Sequence, residues 1–77
     1  MNYETYLVME EGALSSINGN VLVQDLSGQV VIANVGSSPE ILLTFRRIPQ
    51  AFEVTNKGTT FLIAVLPSLE VRILREV

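Results

Sequence analysis

Short runs of β-type residues recur about every ten residues along this chain of 77 residues, and turn residues separate them. Apolar and polar residues alternate in most of the runs, and their Val and Ile side chains favour a pleated strand. No helical pattern separates the runs, so a parallel βαβ sheet is not expected. The sequence therefore predicts an all-β fold, a small antiparallel β-sandwich or barrel of about six to seven short strands, with residues 1–77 as a single domain.

The runs that carry this pattern are residues 3–9, 21–26, 29–35, 40–46, 50–55, 59–66 and 69–77. Turn-type residues such as Gly12 and Gly19 predict a loop over residues 10–20, with room for one helical turn near Ala13-Leu14. The last run also fits one helix face, through Leu69, Ile73 and Val77. Its Val and Ile content, and the lack of a capping box at Ser68, favour a strand.

Three turns are predicted between these strands. Ser27-Gly28 suits a tight hairpin, because glycine accepts a positive φ without strain at a Cβ atom. Gly36-Ser37-Ser38-Pro39 marks a second turn, and Asn56-Lys57-Gly58 is predicted to be a three-residue hairpin loop that ends in glycine.

The composition leaves more apolar side chains than a small core needs. Hydrophobic residues make up 48% of the chain and charged residues 17%, whereas about 25% is typical for charged residues. Large apolar surface patches mark contacts with partners, so we expect other protein subunits as partners and a homo-oligomer as the simplest case. The net charge of −3 argues against nucleic acid. No targeting segment or membrane-spanning run is evident, and we expect a protein made in the cytoplasm.

The chain offers few groups for catalysis or metal binding. It contains neither His nor Cys, so its serines have no imidazole to activate them and thiolate or imidazole metal ligands are missing. Glu10 and Glu11 are adjacent and would point to opposite faces of a strand. Glu53 and Glu70 are a pair that neighbouring strands could bring together. No Gly-rich phosphate loop is present, and the sequence predicts no enzyme, no cofactor and no metal site.

Apolar residues on both faces of the first and last runs suggest where partners bind. A strand that covers one small core needs only one apolar face, so the second face needs a partner or the other sheet. The alternative is that these strands lie centrally and are covered on both sides. The basic doublet Arg46-Arg47 is either a solvated loop edge or a further contact. The predicted interface residues are Tyr6, Val8, Arg46, Arg47, Arg72 and Leu74.

The order of turns and strands carries a family resemblance. The segment Val30-Val31-Ile32-Ala33-Asn34-Val35-Gly36-Ser37-Ser38-Pro39 precedes apolar strands, and Leu66-Pro67-Ser68 precedes a closing Val-Arg-Ile. This rhythm resembles small immunoglobulin-like β-sandwich modules in the structural and decoration proteins of tailed phages. The Cys–Trp–Cys pattern of a full immunoglobulin domain is missing, as is its long N-terminal set of strands. The resemblance implies a place in a virion, as a capsid decoration or as a tail or head accessory protein.

Two functions follow as hypotheses. The first is a non-enzymatic structural or assembly subunit that works through oligomeric contacts; the phage context comes from the resemblance. The alternative is a small adaptor or binding module that holds an apolar ligand, or a peptide strand added to a sheet edge.

Overall fold

The computed structural model describes residues 2–26, 28–35 and 40–77. The strands in these residues are β1 (Tyr3–Met9), β2 (Leu14–Ile17), β3 (Val21–Leu26), β4 (Gln29–Asn34), β5 (Glu40–Arg46), β6 (Gln50–Asn56), β7 (Thr59–Val65) and β8 (Val71–Glu76). They form two antiparallel sheets of four strands each, which confirms the all-β, sandwich-like fold. The part of the chain described here holds no helix that could cross a membrane.

The strand count is eight, so the expected six to seven was too low. The additional strand, β2, lies inside the segment predicted as a loop. Its residues do alternate, with Ile17 fully buried and Leu14 exposed, but serines at the two positions between them conceal the pattern. The start of the last strand also differs from the prediction, because Leu69 has a φ of +70° and belongs to the preceding turn.

The two sheets are named by their place in the chain. The terminal sheet has the order β1-β8-β7-β6, and the central sheet has the order β2-β3-β4-β5. Every pair of hydrogen-bonded neighbours is also consecutive in sequence, except β1 and β8. This up-and-down order differs from the Greek-key connections of immunoglobulin domains.

The core lies between the sheets and is formed by alternate residues of the strands. Phe61, Ile63 and Ile73 supply the terminal sheet's centre, and none of the three is exposed to solvent. Phe45 and Phe52 join β5 to β6, with ring centroids 4.6 Å apart. The buried cluster is Met9, Ile17, Val21, Val23, Val30, Ile32, Phe45, Phe61, Ile63, Val65, Val71 and Ile73. Because both walls of this core come from one chain, the described residues form a packed interior by themselves.

Two left-handed turns connect the sheets at one end of the sandwich. Asn18 in the β2–β3 turn and Lys57 in the β6–β7 turn both have a φ of +51°. The Asn18 side-chain amide donates to the carbonyl oxygen of Asn56 at 3.3 Å, and the Lys57 amine donates to the carbonyl oxygen of Asn18 at 3.5 Å. The β6–β7 loop is Lys57-Gly58 alone, one residue shorter than predicted, because Asn56 pairs with Thr59.

The other predicted turns are only partly described. Gly28 has a φ of +82°, the positive value that the hairpin prediction required. Ser27 and the predicted turn at residues 36–39 lie outside the described residues.

Candidate protein-contact surfaces

The side of the central sheet that faces away from the core presents three rows of side chains. Ladder partners lie on the same side of a sheet, so the register places Leu14, Gln24, Val31 and Thr44 in one row across the strands. We call this surface the central outer face; its residues are Leu14, Ser16, Leu22, Gln24, Leu26, Gln29, Val31, Ala33, Ile41, Thr44 and Arg46.

The central outer face combines large exposed aliphatic side chains with very little charge. Ile41 is 67% exposed and Leu14 is 57% exposed. Beside Ile41, the β-bulge residue Leu42 is also exposed. Among the described residues of this face there is no carboxylate, and Arg46, at the end of β5, is its single cation. A surface of this kind is typical of a contact between proteins.

The corresponding side of the terminal sheet, the terminal outer face, is polar and charged. Its residues are Tyr3, Thr5, Val8, Ala51, Glu53, Thr55, Thr60, Leu62, Ala64, Arg72, Leu74 and Glu76. Arg72 Nη2 lies 2.6 Å from Glu70 Oε1. Desolvation raises the pKa of Tyr3, and the carboxylates of Glu53 and Glu76 raise it further, the former also by accepting a hydrogen bond from the hydroxyl. Burying this face would require removing several charges from water.

Three of the predicted interface residues lie on the terminal outer face. Val8 is exposed and lies opposite Arg72 in the β1–β8 ladder. Leu74 is half-buried between Thr5 and Leu62. The last strand, β8, is not an edge strand, because it lies between β1 and β7.

The Tyr6 ring contacts Phe61 and Arg75 of its own chain. It is the bulged residue of β1, and its ring meets the Phe61 ring edge-on at a centroid distance of 5.3 Å. The Arg75 guanidinium lies 5.7 Å from the centre of the Tyr6 ring, and Arg75 also pairs with Glu4. The Tyr6 ring therefore packs on the buried Phe61, although the residue remains 38% exposed.

The two adjacent arginines have separate surroundings. Arg46 is exposed, and its carbonyl oxygen accepts a hydrogen bond from Gln50 Nε2 at 2.7 Å. Arg47 is turned inward and lies 2.9 Å, Nε to Oδ1, from the buried Asp25. Sequence reasoning did not single out Asp25, although its spacing from Val21 and Val23 in β3 places it on the inward face.

The edges of both sheets are poor templates for an added strand. Bulges interrupt the edge strands β1 and β5, at Tyr6 and Leu42. The edge strand β2 has only four residues, and β6 follows Pro49 and carries Glu53. Bulges, short edges and edge charges all discourage pairing with another chain.

The part of the chain that the structure describes shows neither a pocket nor a metal site. Within residues 2–26, 28–35 and 40–77 there is no pocket, and no group of three acidic, His or Cys residues could hold a metal ion. The two carboxylates that neighbouring strands could have brought together have separate partners: Glu53 interacts with Tyr3, and Glu70 is paired with Arg72. Searches of family models, curated proteins and solved structures find no match to this chain. The surfaces of the molecule are therefore the basis for its functional assignment.

Proposed function

We propose that this protein is a non-enzymatic assembly subunit that works by protein–protein contact through the central outer face. The difference between the two outer faces carries the proposal. The central outer face has large aliphatic side chains and, among its described residues, no carboxylate. The terminal outer face has acidic residues, Arg72 paired with Glu70, and Tyr3 near the carboxylates of Glu53 and Glu76. Only the first can be covered without removing many charges from water.

The energetics favour covering the aliphatic side chains. Full burial of one large aliphatic side chain is worth about 1.5–3 kcal/mol relative to leaving it in water. Ile41 and Leu14 are the most exposed of the large aliphatic side chains on this face, so their burial contributes the most. Part of the gain is offset by the entropy lost when two molecules associate.

The proposed setting, a virion, depends on the resemblance to phage modules. The turn at residues 36–39, which contributes to that resemblance, lies outside the described residues, and the strand order is up-and-down. The adaptor alternative draws no support from the surfaces: the described residues form no pocket for an apolar ligand, and bulges interrupt two edges where a peptide strand would add.

The test is the mass of the native particle that contains this chain. We expect the protein in a gentle extract of expressing cells to elute well above its monomer mass of 8.5 kDa. Ile41→Lys should shift it toward the monomer, because the lysine places a charge in the contact. Val8→Lys, at an exposed site on the opposite face, is the matched control and should leave the mass unchanged. A chain that is monomeric in the wild-type extract and stays monomeric when it is purified and concentrated would overturn the proposal.

A further inference from the structure

We infer that the partner seated on the central outer face is the same face of a second copy, related to the first by a twofold axis. This inference rests on the proposed function, because it names the partner at that same surface. Most soluble homo-oligomers are closed by such symmetric contacts, in which one patch meets itself.

The distribution of charge points to a second copy. The chain carries a net charge of −3, so two copies repel each other on approach unless their acidic surfaces stay apart. The acidic side chains of β1, β6 and β8 lie on the terminal sheet, and Glu70 precedes β8. On the central sheet the carboxylates lie outside the rows of the outer face: Glu10 and Glu11 precede β2, the exposed Glu40 begins β5 and accepts a hydrogen bond from Asn34, and Asp25 is inside the sandwich. The central outer face is where two copies can meet without opposing carboxylates, and a strongly charged partner would find no matching charges there.

The geometry of the sheets favours a face-to-face contact. The edges are interrupted or short, so a second copy is not expected to extend either sheet sideways. The core is complete within one chain, so each subunit folds before it associates. Two sheets can then stack with their aliphatic side chains interleaved, at the spacing of about 10 Å that sheets adopt in a sandwich.

The size of the face sets the strength of the dimer. With strands about 4.8 Å apart and a rise of about 3.3 Å per residue, four strands of roughly six residues span about 19 by 20 Å. Two such faces together cover about 760 Å², which is below the range for stable specific interfaces that begins at about 1,200 Å² in total and belongs to weak contacts. We therefore expect a dimer that dissociates on dilution.

The first experiment measures the mass of the purified chain by light scattering over a dilution series. We expect a dimer at high concentration and a monomer at low concentration. Ile41→Lys and Leu14→Lys should each weaken the dimer at least tenfold while circular dichroism shows an intact fold, and Val8→Lys should not weaken it. A wild-type chain that stays monomeric at high concentration, or a dimer that both lysine variants leave unchanged, would overturn the inference.

The second experiment tests the symmetry and uses the absence of cysteine from the chain. Gln24 lies near the middle of the central outer face, so a twofold axis through that face brings Gln24 close to its own symmetry mate. Gln24→Cys should therefore be joined to a second copy by a short bismaleimide linker. Thr55→Cys on the terminal outer face is the control and should remain uncrosslinked.

The outcomes separate the two proposals. Crosslinking at Gln24→Cys and none at Thr55→Cys supports the twofold contact. Equal crosslinking at both sites, or at neither site in a sample that is dimeric, overturns it and leaves the assembly function standing. A purified chain that is monomeric, but whose mass in extract falls with Ile41→Lys, shows that the face binds a different protein, which overturns the second-copy inference alone.

Discussion

Arg47 reaches into the end of the sandwich and pairs with Asp25, its Nε lying 2.9 Å from the Oδ1 of a carboxylate that is 1% exposed. Backbone hydrogen bonds surround the pair. Arg47 N–H donates to the Gly28 carbonyl, and Asp25 N–H donates to the Ala13 carbonyl, both at 3.0 Å. The pair therefore joins the chain before β2, the end of β3 and the corner after β5.

Removing the cation should destabilise the fold strongly. Arg47→Met leaves the Asp25 carboxylate buried without its counter-charge, and losing one member of such a pair costs about 3–5 kcal/mol. Urea unfolding followed by circular dichroism measures the loss as a lower midpoint at unchanged slope. A loss below about 1 kcal/mol would show that the pair contributes no more than an exposed salt bridge does.

The double variant Asp25→Leu, Arg47→Met provides the control for that experiment. It removes both charges, so the cost of an unpaired buried charge disappears. We expect the double variant to be more stable than Arg47→Met alone. A double variant whose loss equals the sum of the two single losses would show that the residues do not interact.

Gly28 should be sensitive to any side chain. Its φ is +82°, and apart from its chain neighbours no atom of the described residues lies within 4 Å of the place where a Cβ would be. The cost of Gly28→Val is therefore backbone strain rather than a clash, and we expect a loss of roughly 1–2 kcal/mol. Thermal unfolding measures it, and Gly28→Ala should cost nearly as much as long as strain is the cause. If the valine and alanine variants match the wild type, the turn can adopt another conformation.

Lys57 holds a left-handed conformation that suits asparagine better. With a φ of +51° beside Gly58 in a two-residue hairpin loop, it occupies a position where Asn-Gly is strongly preferred. We expect Lys57→Asn to stabilise the protein by roughly 0.5–1 kcal/mol. Lys57→Ala is the control, because it removes the amine that contacts Asn18 without relieving the strain. A melting temperature equal in both variants would argue against the strain.

Tyr3 should make stability fall at high pH. Its pKa is raised above the ordinary value of 10.0 by desolvation, and then by Glu53 and Glu76. Because the unfolded chain releases this proton first, the contribution of Tyr3 is fully present below pH 10.0 and is lost as pH rises through the folded-state pKa. The difference between the tyrosinate absorbance titrations of wild type and Tyr3→Phe isolates this group. A midpoint for Tyr3 at or below 10.0 would contradict the prediction.

Local alternation was enough to find most of the strands. Val21, Val23, Ile63 and Ile73 lie on the inward faces that their spacing implies, and all are buried. It could not identify β2, because only Leu14 and Ile17 are apolar in it. Alternation also could not show that β8 is an inner strand, because the position of β8 depends on its pairing with β1 at the opposite end of the chain.

The central outer face is also hard to predict from sequence, because it too depends on contacts between distant strands. Leu22, Val31 and Ile41 were recognised as strand residues, but β3 and β4 are apolar on both sides. Which side is covered depends on where the second sheet lies, and that is fixed by contacts between distant strands. The sequence favours the terminal strands as contact sites because each of them has apolar residues on two faces. Two of the residues predicted for the contact, Tyr6 in β1 and Arg47 after β5, instead contact residues of their own chain.

The pairing of β1 with β8 also determines how the subunit would respond to a pulling force. Residues 2 and 77 lie side by side at the open end of that ladder, where Val77 N–H donates to the Asn2 carbonyl at 3.0 Å. Tension applied at these two residues would act on the ladder one hydrogen bond at a time, like a zipper, rather than on all of its bonds together. The terminal sheet would open at low force, while the central sheet, which contains neither residue, would keep its shape and its outer face until the load reached it.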